Sequence, residues 1–400
     1  MLRESLASSK SSQKPERRFP LWCDRGGLVN PSSPSDEEKV VAFVEKCSQH
    51  GVTELVPWNG TRSLVEAAQD KGIGVHPYLA FNSHGSMKQN HAWSVHYASA
   101  RSRASKTLLN QHRPIWSPGG ISKKVSAFAE KHPEFWAHGR EPSDEMKPGQ
   151  RVSMSLAFSE VRRYEADQYL EMLERNGGNG VQIEFVSTNR DDDGICVYGY
   201  EEPVVKAFQE KQGKNPFDLP NHDPSWVQFR ADYVTSTLRE LREKLRKRDP
   251  EAPMTVAFVA RDRDDYLKVF QDWPLWVDQQ LVDEIHLWFR TTSDVSEVER
   301  QVRQAAEIIK GRCPLVAELS CYHVGSFQDS KLLLEAARRA RANGADTVGI
   351  YRSHAVEQLD FWPLIGRIAS LRWLLPNLSI SVDNELLGNQ AFKTHGPISV

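Results

Sequence analysis

The fold is decided by the run Gly180-Val181-Gln182-Ile183-Glu184-Phe185-Val186, a short apolar segment that carries one acid near its C-terminal end. It follows Asn176-Gly177-Gly178-Asn179, which is typical of a helix end and a turn. Near-continuous apolar character is typical of a parallel strand that is covered by helices on both faces. We therefore predict a buried parallel strand with a carboxylate close to its C-terminal end.

The same pattern of a short apolar run, a loop and an amphipathic helical segment recurs along the chain. The eight predicted strands are 19–24, 53–58, 74–80, 181–186, 255–260, 284–289, 315–319 and 347–351. Alternating strands and helices predict an α/β protein with a parallel sheet, and eight units favour closure into a (β/α)8 TIM barrel over an open sheet.

Two helices between the strands have readable boundaries. Asp223 followed by Pro224 predicts an N-cap and a first-turn proline for a helix that runs toward Arg248. Asn343-Gly344 predicts the end of a helix that begins near Ser330.

The predicted barrel spans residues 19–375, preceded by a disordered segment, 1–18, and followed by a tail, 376–400, that packs on the barrel. Long βα-loop insertions are predicted after strand 3, at about 81–151, and after strand 4, at 188–221. Both follow strands, so we expect both at the C-terminal face, where barrel enzymes build their sites. The first insertion is rich in histidine, and the sequence assigns it no role.

Composition narrows the class of partner. The 51 Lys and Arg residues nearly balance the 53 Asp and Glu residues, which leaves no basic field for nucleic acid and no polybasic membrane patch. The N-terminal region has no apolar signal-peptide core, and no apolar run reaches the roughly 18 residues of a membrane span. We predict a cytoplasmic protein with a small or neutral ligand; removal of an export signal from the chain would change the predicted location.

Motifs of several other enzyme classes are missing from the sequence. No GxGxxG follows the first strand, and GxxxxGK[ST], GxSxG and HExxH do not occur. The five cysteines are scattered and include no CxxC pair, so neither a zinc knuckle nor a disulfide framework is indicated. We therefore expect no cofactor and no metal. The oligomeric state is left open.

Two predicted strands, the fourth and the seventh, carry an acid near their C-terminal ends: Glu184 and Glu318. A buried carboxylate is costly, so each needs a structural partner or a chemical task. Basic residues at other strand ends, namely Arg25, Arg261 and Arg352, would supply a structural salt bridge. Two such acids in one barrel favour the chemical task.

Glycoside hydrolysis normally requires two carboxyl groups, one protonated and one ionised. By analogy with barrels that use strands 4 and 7, we predict Glu184 as general acid and Glu318 as nucleophile of a glycosidase acting on an oligo- or polysaccharide. A separation of about 5–5.5 Å would predict retention of configuration, and about 6.5–9.5 Å inversion. Asp262, which follows the fifth strand, is the reserve catalytic candidate.

Aromatic and polar residues at strand ends are predicted to bind the sugar. Rings provide flat faces for stacking, and polar side chains hydrogen-bond hydroxyl groups, although each polar residue is as often a structural partner of a carboxylate. The aromatic candidates are Trp58, Tyr78, Trp288, Tyr322 and Tyr351. The polar candidates are Asp24, Asn59, Asn82, Arg261, His286, Arg352 and His354.

Several short motifs are shared with a known family. They are His132-Pro133-Glu134, Ser153 to Phe158, Arg163-Tyr164, Gly180 to Phe185, Tyr198-Gly199, Trp226, Arg230 and Trp273 to His286. In these motifs the chain resembles the bacterial family 10-like glycosylhydrolases, over about residues 19–375. The resemblance implies a barrel that acts on polysaccharide or peptidoglycan-type glycans, with an acid at the end of the fourth strand; Glu184 occupies that position, where the relatives more often have Asp.

Two alternatives to a glycosidase stay open. A carbohydrate-binding pseudoenzyme would keep the aromatic cleft and lack one correctly placed carboxylate. A metal-dependent lyase or isomerase acting on sugar acids would use His286 or His354 as base, with acids holding the metal.

Overall fold

The structure is a computed structural model that describes residues 18–28, 34–84, 125–146, 152–185 and 190–371. The predicted tail 376–400 lies outside the described residues, as do residues 1–17 of the predicted N-terminal segment and residues 85–124 of the first predicted insertion.

Parallel strands form one sheet, and their bounds agree closely with the apolar runs of the sequence. The strands are β1 Pro20–Cys23, β2 Glu54–Pro57, β3 Gly74–Val75, β4 Tyr78–Ala80, β5 Val181–Phe185, β6 Met254–Val259, β7 Glu284–Phe289, β8 Leu315–Ser320 and β9 Thr347–Tyr351. Their order is β3-β2-β1-β9-β8-β7-β6-β5-β4.

The third barrel strand is divided into β3 and β4, whereas the sequence indicated one unbroken strand over 74–80. Pro77 lies in the gap and has no N–H group to donate to a ladder, so strand pairing is interrupted there. β3 pairs with β2, β4 pairs with β5, and Trp58 forms a parallel bridge with Tyr78. The divided strand thus joins both ends of the sheet. This closes the eight-stranded barrel and confirms the predicted fold class.

Helices alternate with the strands and cover the outside of the barrel. They are α1 Pro34–Gln49, α2 Arg62–Asp70, α3 Ala127–Lys131, α4 Ser159–Asn176, α5 Glu202–Gln212, α6 Pro224–Arg248, α7 Asp265–Lys268, α8 Trp273–Asp278, α9 Val295–Ile309, α10 Ser330–Ala342, α11 Ser353–Gln358 and α12 Trp362–Ala369. Their apolar faces and the outward side chains of the strands form one large core between helices and sheet.

The two helix boundaries read from the sequence are confirmed. The Asp223 side chain accepts hydrogen bonds from the backbone N–H groups of Ser225 and Trp226, which caps the start of α6. The helix α10 begins at Ser330 and ends with Asn343 as its C-cap, immediately before Gly344.

The barrel interior holds a buried ionic network at the N-terminal ends of the strands. Arg18 donates to the carboxylates of both Glu54 and Glu284, which begin β2 and β7. His76 Nδ1 lies 2.9 Å from Glu54 Oε1, and His286 Nε2 lies 2.8 Å from Glu284 Oε1. Arg18, which the sequence assigns to the predicted segment 1–18, makes these contacts at the N-terminal ends of β2 and β7.

Parts of both predicted insertions contact each other above the sheet. Gly139 pairs with Tyr198 in an antiparallel bridge, and the Glu201 carboxylate accepts the backbone N–H of His138 at 2.7 Å. The extent of the two insertions stays a prediction. Within the described ranges, no helix is both long and apolar enough to cross a membrane.

Candidate active site

A cavity of about 740 Å³ opens at the C-terminal ends of the barrel strands. This is the face where TIM barrels place their active sites, and the volume lies within the roughly 300–1,000 Å³ of small-molecule pockets. The lining residues come from seven of the strands or their following loops and from α4. They are Trp58, Tyr78, Leu79, Ala80, Ser83, His84, Ser126, Tyr164, Glu165, Gln168, Tyr169, Glu184, Val259, Trp288, Arg290, His323, Tyr351 and Arg352.

An aromatic cluster closes the barrel beneath this cavity. Trp22 and Trp288 stack with ring centroids 6.2 Å apart at an interplanar angle of 10°, and Tyr78 and Tyr351 pack against Trp22 at 4.5 and 5.5 Å. These rings are buried and form the floor. Trp58 differs because it is 53% exposed at the rim, where its face is free to meet a ligand.

Glu184 lies at the edge of this aromatic floor. It is the fourth of the five residues of β5, pairs in register with Ala80 and Ala257, and lines the cavity. Burial raises the pKa of the Tyr351 phenol, and the negative charge of Glu184 raises it further. The phenol therefore stays protonated at neutral pH and is able to donate a hydrogen bond close to the Glu184 carboxylate.

Glu165 is the second carboxylate on the lining among the described residues, and sequence reasoning missed it. It lies on α4, where no strand-end signal marks it, and its Oε2 accepts the backbone N–H of Asn82 at 3.0 Å. Its Oε1 lies 2.8 Å from His84 Nε2. Both oxygens are therefore held by groups from the loop that follows β4.

Two arginines and a histidine, Arg290, Arg352 and His323, also line the cavity. Arg352 Nη2 lies 3.2 Å from Asp24 Oδ1, and His354 Nδ1 lies 2.7 Å from Asp24 Oδ2. The Arg290 guanidinium lies over the Trp288 ring, 5.3 Å from its centroid. His323 stacks on Tyr351; burial and the positive charges of both arginines lower the pKa of His323 to about 4, so its imidazole is neutral at neutral pH.

Glu318, the predicted partner of Glu184, is completely buried and is not among the residues that line the cavity. Its Oε2 lies 3.2 Å from His286 Nδ1, which joins it to the ionic network inside the barrel. Burial raises the pKa of Glu318, against the opposing effect of the His286 contact. The described structure therefore does not bring Glu184 and Glu318 together on the cavity surface, and gives Glu318 a structural partner instead.

The other predicted site residues divide between the cavity and its surroundings. On the lining are Trp58, Tyr78, Trp288, Tyr351 and Arg352. Asp24 contacts both Arg352 and His354, and the Arg352 guanidinium lies 4.6 Å from the centroid of the Tyr322 ring.

Besides Glu318, Asp24, Tyr322 and His354, five predicted residues do not line the cavity. Asp262 has a 60% exposed side chain that pairs with Arg300. The Asn59 carbonyl accepts a hydrogen bond from Asn176, and the Asn82 side chain bonds the backbone of Met154. The remaining two are Arg261, whose backbone N–H donates to Tyr266, and the fully buried His286. Local sequence placed these five residues at strand ends, but none of them is on the cavity lining.

The arrangement combines flat apolar faces, a carboxylate at a strand end and partly buried cationic groups around one cavity. Aromatic faces suit sugar rings, and a carboxyl group beside them is suited to proton transfer. Across the described residues, no group of three or more His, Cys, Asp or Glu side chains is arranged to hold a metal ion.

Comparison with known proteins agrees with this geometry. The model of the family described as glycosyl hydrolase-like 10 matches residues 109–332, which is more than half of the chain. No curated protein sequence matches significantly. Among solved structures, the PgaB (BpsB) glycoside hydrolase domain from Bordetella bronchiseptica aligns with a TM-score of 0.61 at 14% identity, covering 89% of this chain and 100% of that domain.

Two β-galactosidases have the same fold at lower similarity. The enzyme from the psychrophilic Marinomonas ef1 aligns with a TM-score of 0.54 at 11% identity, and the enzyme from Bacillus circulans sp. alkalophilus with 0.53 at 12%. The alignments cover 84% and 85% of this chain but 54% and 51% of the two enzymes, so this chain spans about half their length. At these identities the likeness shows the fold alone.

Proposed function

Because the chain belongs to the glycosyl hydrolase-like 10 family, we propose that it binds an oligosaccharide in the cavity and hydrolyses a glycosidic bond with Glu184 as the general acid. The single observation that carries this proposal is the position of Glu184, on the cavity lining and next to the aromatic floor. A sugar stacked on the rings would present its glycosidic oxygen to this carboxyl group. Protonation of that oxygen makes the aglycone a better leaving group.

The second carboxyl group that hydrolysis requires is assigned to Glu165 in place of Glu318. Glu165 shares the cavity lining with Glu184; its Oε2 accepts the Asn82 N–H and its Oε1 contacts His84 Nε2, and these contacts hold the side chain in place. An ionised carboxylate there would assist a water molecule or the oxocarbenium-like transition state. Loss of turnover in a Glu165→Gln variant that still binds glycan would support this role, and full turnover would remove it.

Non-catalytic carbohydrate binding is the second candidate function. It is favoured by the engagement of Glu165 with His84 and with the Asn82 backbone, because a carboxylate committed to such partners is also what a purely structural role would require. In that case the aromatic faces and arginines would bind a sugar that is never cleaved.

One experiment separates the two functions. Purified protein is incubated with a panel of oligosaccharides and chromogenic glycosides, with products detected by mass spectrometry and binding measured by calorimetry. For Glu184→Gln we expect a loss of turnover of about 10²- to 10⁴-fold with binding retained, since general acid catalysis contributes about that much.

The matched control is Asp262→Asn, an acid-to-amide change at an exposed residue that pairs with Arg300 outside the cavity; it should retain turnover. Turnover by Glu184→Gln at the wild-type rate would reject its assignment. Binding without cleavage by the wild type would establish the binding function.

A further inference from the structure

Arg290 is a cation on the cavity lining that lacks an acidic partner within the described ranges. It follows β7, and its guanidinium is held over the Trp288 ring by a cation–π contact at 5.3 Å. Its Nε atom is buried and has no hydrogen-bond partner. A buried donor left without a partner costs free energy, because it has lost its hydrogen bonds to water. An acceptor supplied by a ligand would remove that cost.

Arg352 brings a second guanidinium to the same side of the cavity. Asp24 contacts one of its terminal nitrogens, but its Nε is buried and also lacks a hydrogen-bond partner. His323 lies close enough to both arginines that their charges together disfavour its protonation. Arg290 and Arg352 therefore flank one neutral imidazole, which adds hydrogen-bonding capacity without further charge.

The charges of the lining do not cancel locally. Glu165 contacts His84, and Arg352 contacts Asp24, whereas no acid of the described chain contacts Arg290. Tyr351 is near both groups, because the charge of Glu184 acts on its phenol while His323 stacks on its ring at 5.3 Å. An anion bound by Arg290 would thus lie in the same cavity as the proposed catalytic acid, as a charged substituent of the bound sugar would.

The geometry points to a subsite at Arg290, Arg352 and His323 that binds an anionic substituent, so that the substrate is an acidic glycan carrying carboxylate or sulfate groups. Arginine is suited to this task because its planar fork donates two parallel hydrogen bonds to either group. This inference rests on the proposed function and specifies its substrate class.

The test compares acidic glycans with neutral ones. Calorimetry measures the binding of short oligogalacturonides to the full chain and compares it with the binding of their methyl esters. Carrageenan oligosaccharides test sulfate groups, and cello- and chito-oligosaccharides serve as further neutral ligands. Each binding measurement is repeated with the Arg290→Gln variant. We expect acidic members to bind more tightly than neutral ones, and Arg290→Gln to weaken acidic binding by about 10- to 100-fold, the range of a charged hydrogen bond, with little effect on neutral binding.

The matched control is Arg300→Gln, since Arg300 is an exposed arginine that pairs with Asp262 outside the cavity. Preference for neutral members, or an Arg290→Gln variant that keeps the wild-type ratio of acidic to neutral affinity, would overturn the acidic subsite while leaving glycan binding intact. Failure of every glycan to bind the wild type would instead overturn the proposed function and this inference with it. Tighter binding of carboxylated or of sulfated oligomers would identify the source of the anion.

Discussion

His286 Nδ1 and Glu318 Oε2 lie 3.2 Å apart inside the barrel, and neither side chain has any exposed surface. The other imidazole nitrogen of His286 contacts Glu284, which also binds Arg18. The histidine thus bridges two carboxylates from neighbouring strands. This contact explains why Glu318, whose local sequence resembles that of Glu184, is part of the barrel interior.

If the role of Glu318 is structural, its two substitutions should have different effects, one on turnover and one on stability. Glu318→Gln should keep turnover within about threefold of wild type, a difference below 1 kcal/mol in barrier height, because the amide oxygen still accepts a hydrogen bond from His286. Glu318→Ala should lower the free energy of unfolding by about 2–4 kcal/mol, since it leaves a cavity and an unpaired imidazole.

Urea denaturation and the turnover assay check both changes. Glu335→Ala, which removes an exposed acid from α10, serves as the control and should change the free energy of unfolding by less than about 0.5 kcal/mol. A folded Glu318→Gln variant without activity would show that Glu318 takes part in catalysis.

The His286 contacts also predict a pH dependence of stability. Burial lowers the pKa of His286, but Glu284 and Glu318 outweigh burial and raise the pKa to about 9. Because this value exceeds the roughly 6.5 of an unfolded histidine, the stabilisation is fully present below about pH 6.5 and is lost as pH rises through about 9.

The free energy of unfolding should therefore fall by at most about 3 kcal/mol over that window from this group. Urea titrations at a series of pH values measure the fall. The slope should be shallower in His286→Asn and unchanged in His222→Asn, where an exposed histidine is replaced. Equal slopes in all three proteins would contradict the assignment.

Trp58 offers a test of the aromatic rim that leaves the core intact. Its side chain is 53% exposed, so Trp58→Ala should change stability little. Glycan affinity should fall by about three- to tenfold, the range of an aromatic contact worth about 0.5–1.5 kcal/mol. Calorimetric titration measures the affinity, with Leu332→Ala as an exposed apolar control on α10. Unchanged affinity in Trp58→Ala would remove this residue from the binding surface.

Gly349 makes room for the Glu318 carboxylate on the neighbouring strand. The two residues are register partners, and a Cβ at Gly349 would lie 2.2 Å from Glu318 Oε2. The Glu318 side chain is confined on all sides, so Gly349→Ala should destabilise the protein by about 1–3 kcal/mol. Thermal denaturation should show a lower Tm than in Gly74→Ala, where a Cβ meets only ordinary contacts at 3.8 and 3.9 Å. A Gly349→Ala Tm at or above that of Gly74→Ala would show that the interior adapts.

The sequence by itself determined the barrel and the position of its strands. Near-continuous apolar runs, caps such as Asp223 and regular alternation with helices are local properties, and each is visible in a window of a few residues. The same local reading placed Glu184 near a strand end and placed Trp58, Tyr78, Trp288, Tyr351 and Arg352 close enough to the C-terminal face to line its cavity.

Only the tertiary structure decided which acids face the cavity. Glu184 and Glu318 are each the fourth residue of their strand, but β8 continues to Ser320, and residues two apart in a strand point to the same face. Ser320 therefore follows Glu318 on the inward face, and Glu318 lies one pleat deeper than the end of its strand. Arg290, Glu165 and His84 come from loops and a helix, and their approach to the cavity depends on contacts between segments far apart in the chain. Strand register and long-range packing set these relationships, and neither is encoded in the local pattern around any one residue.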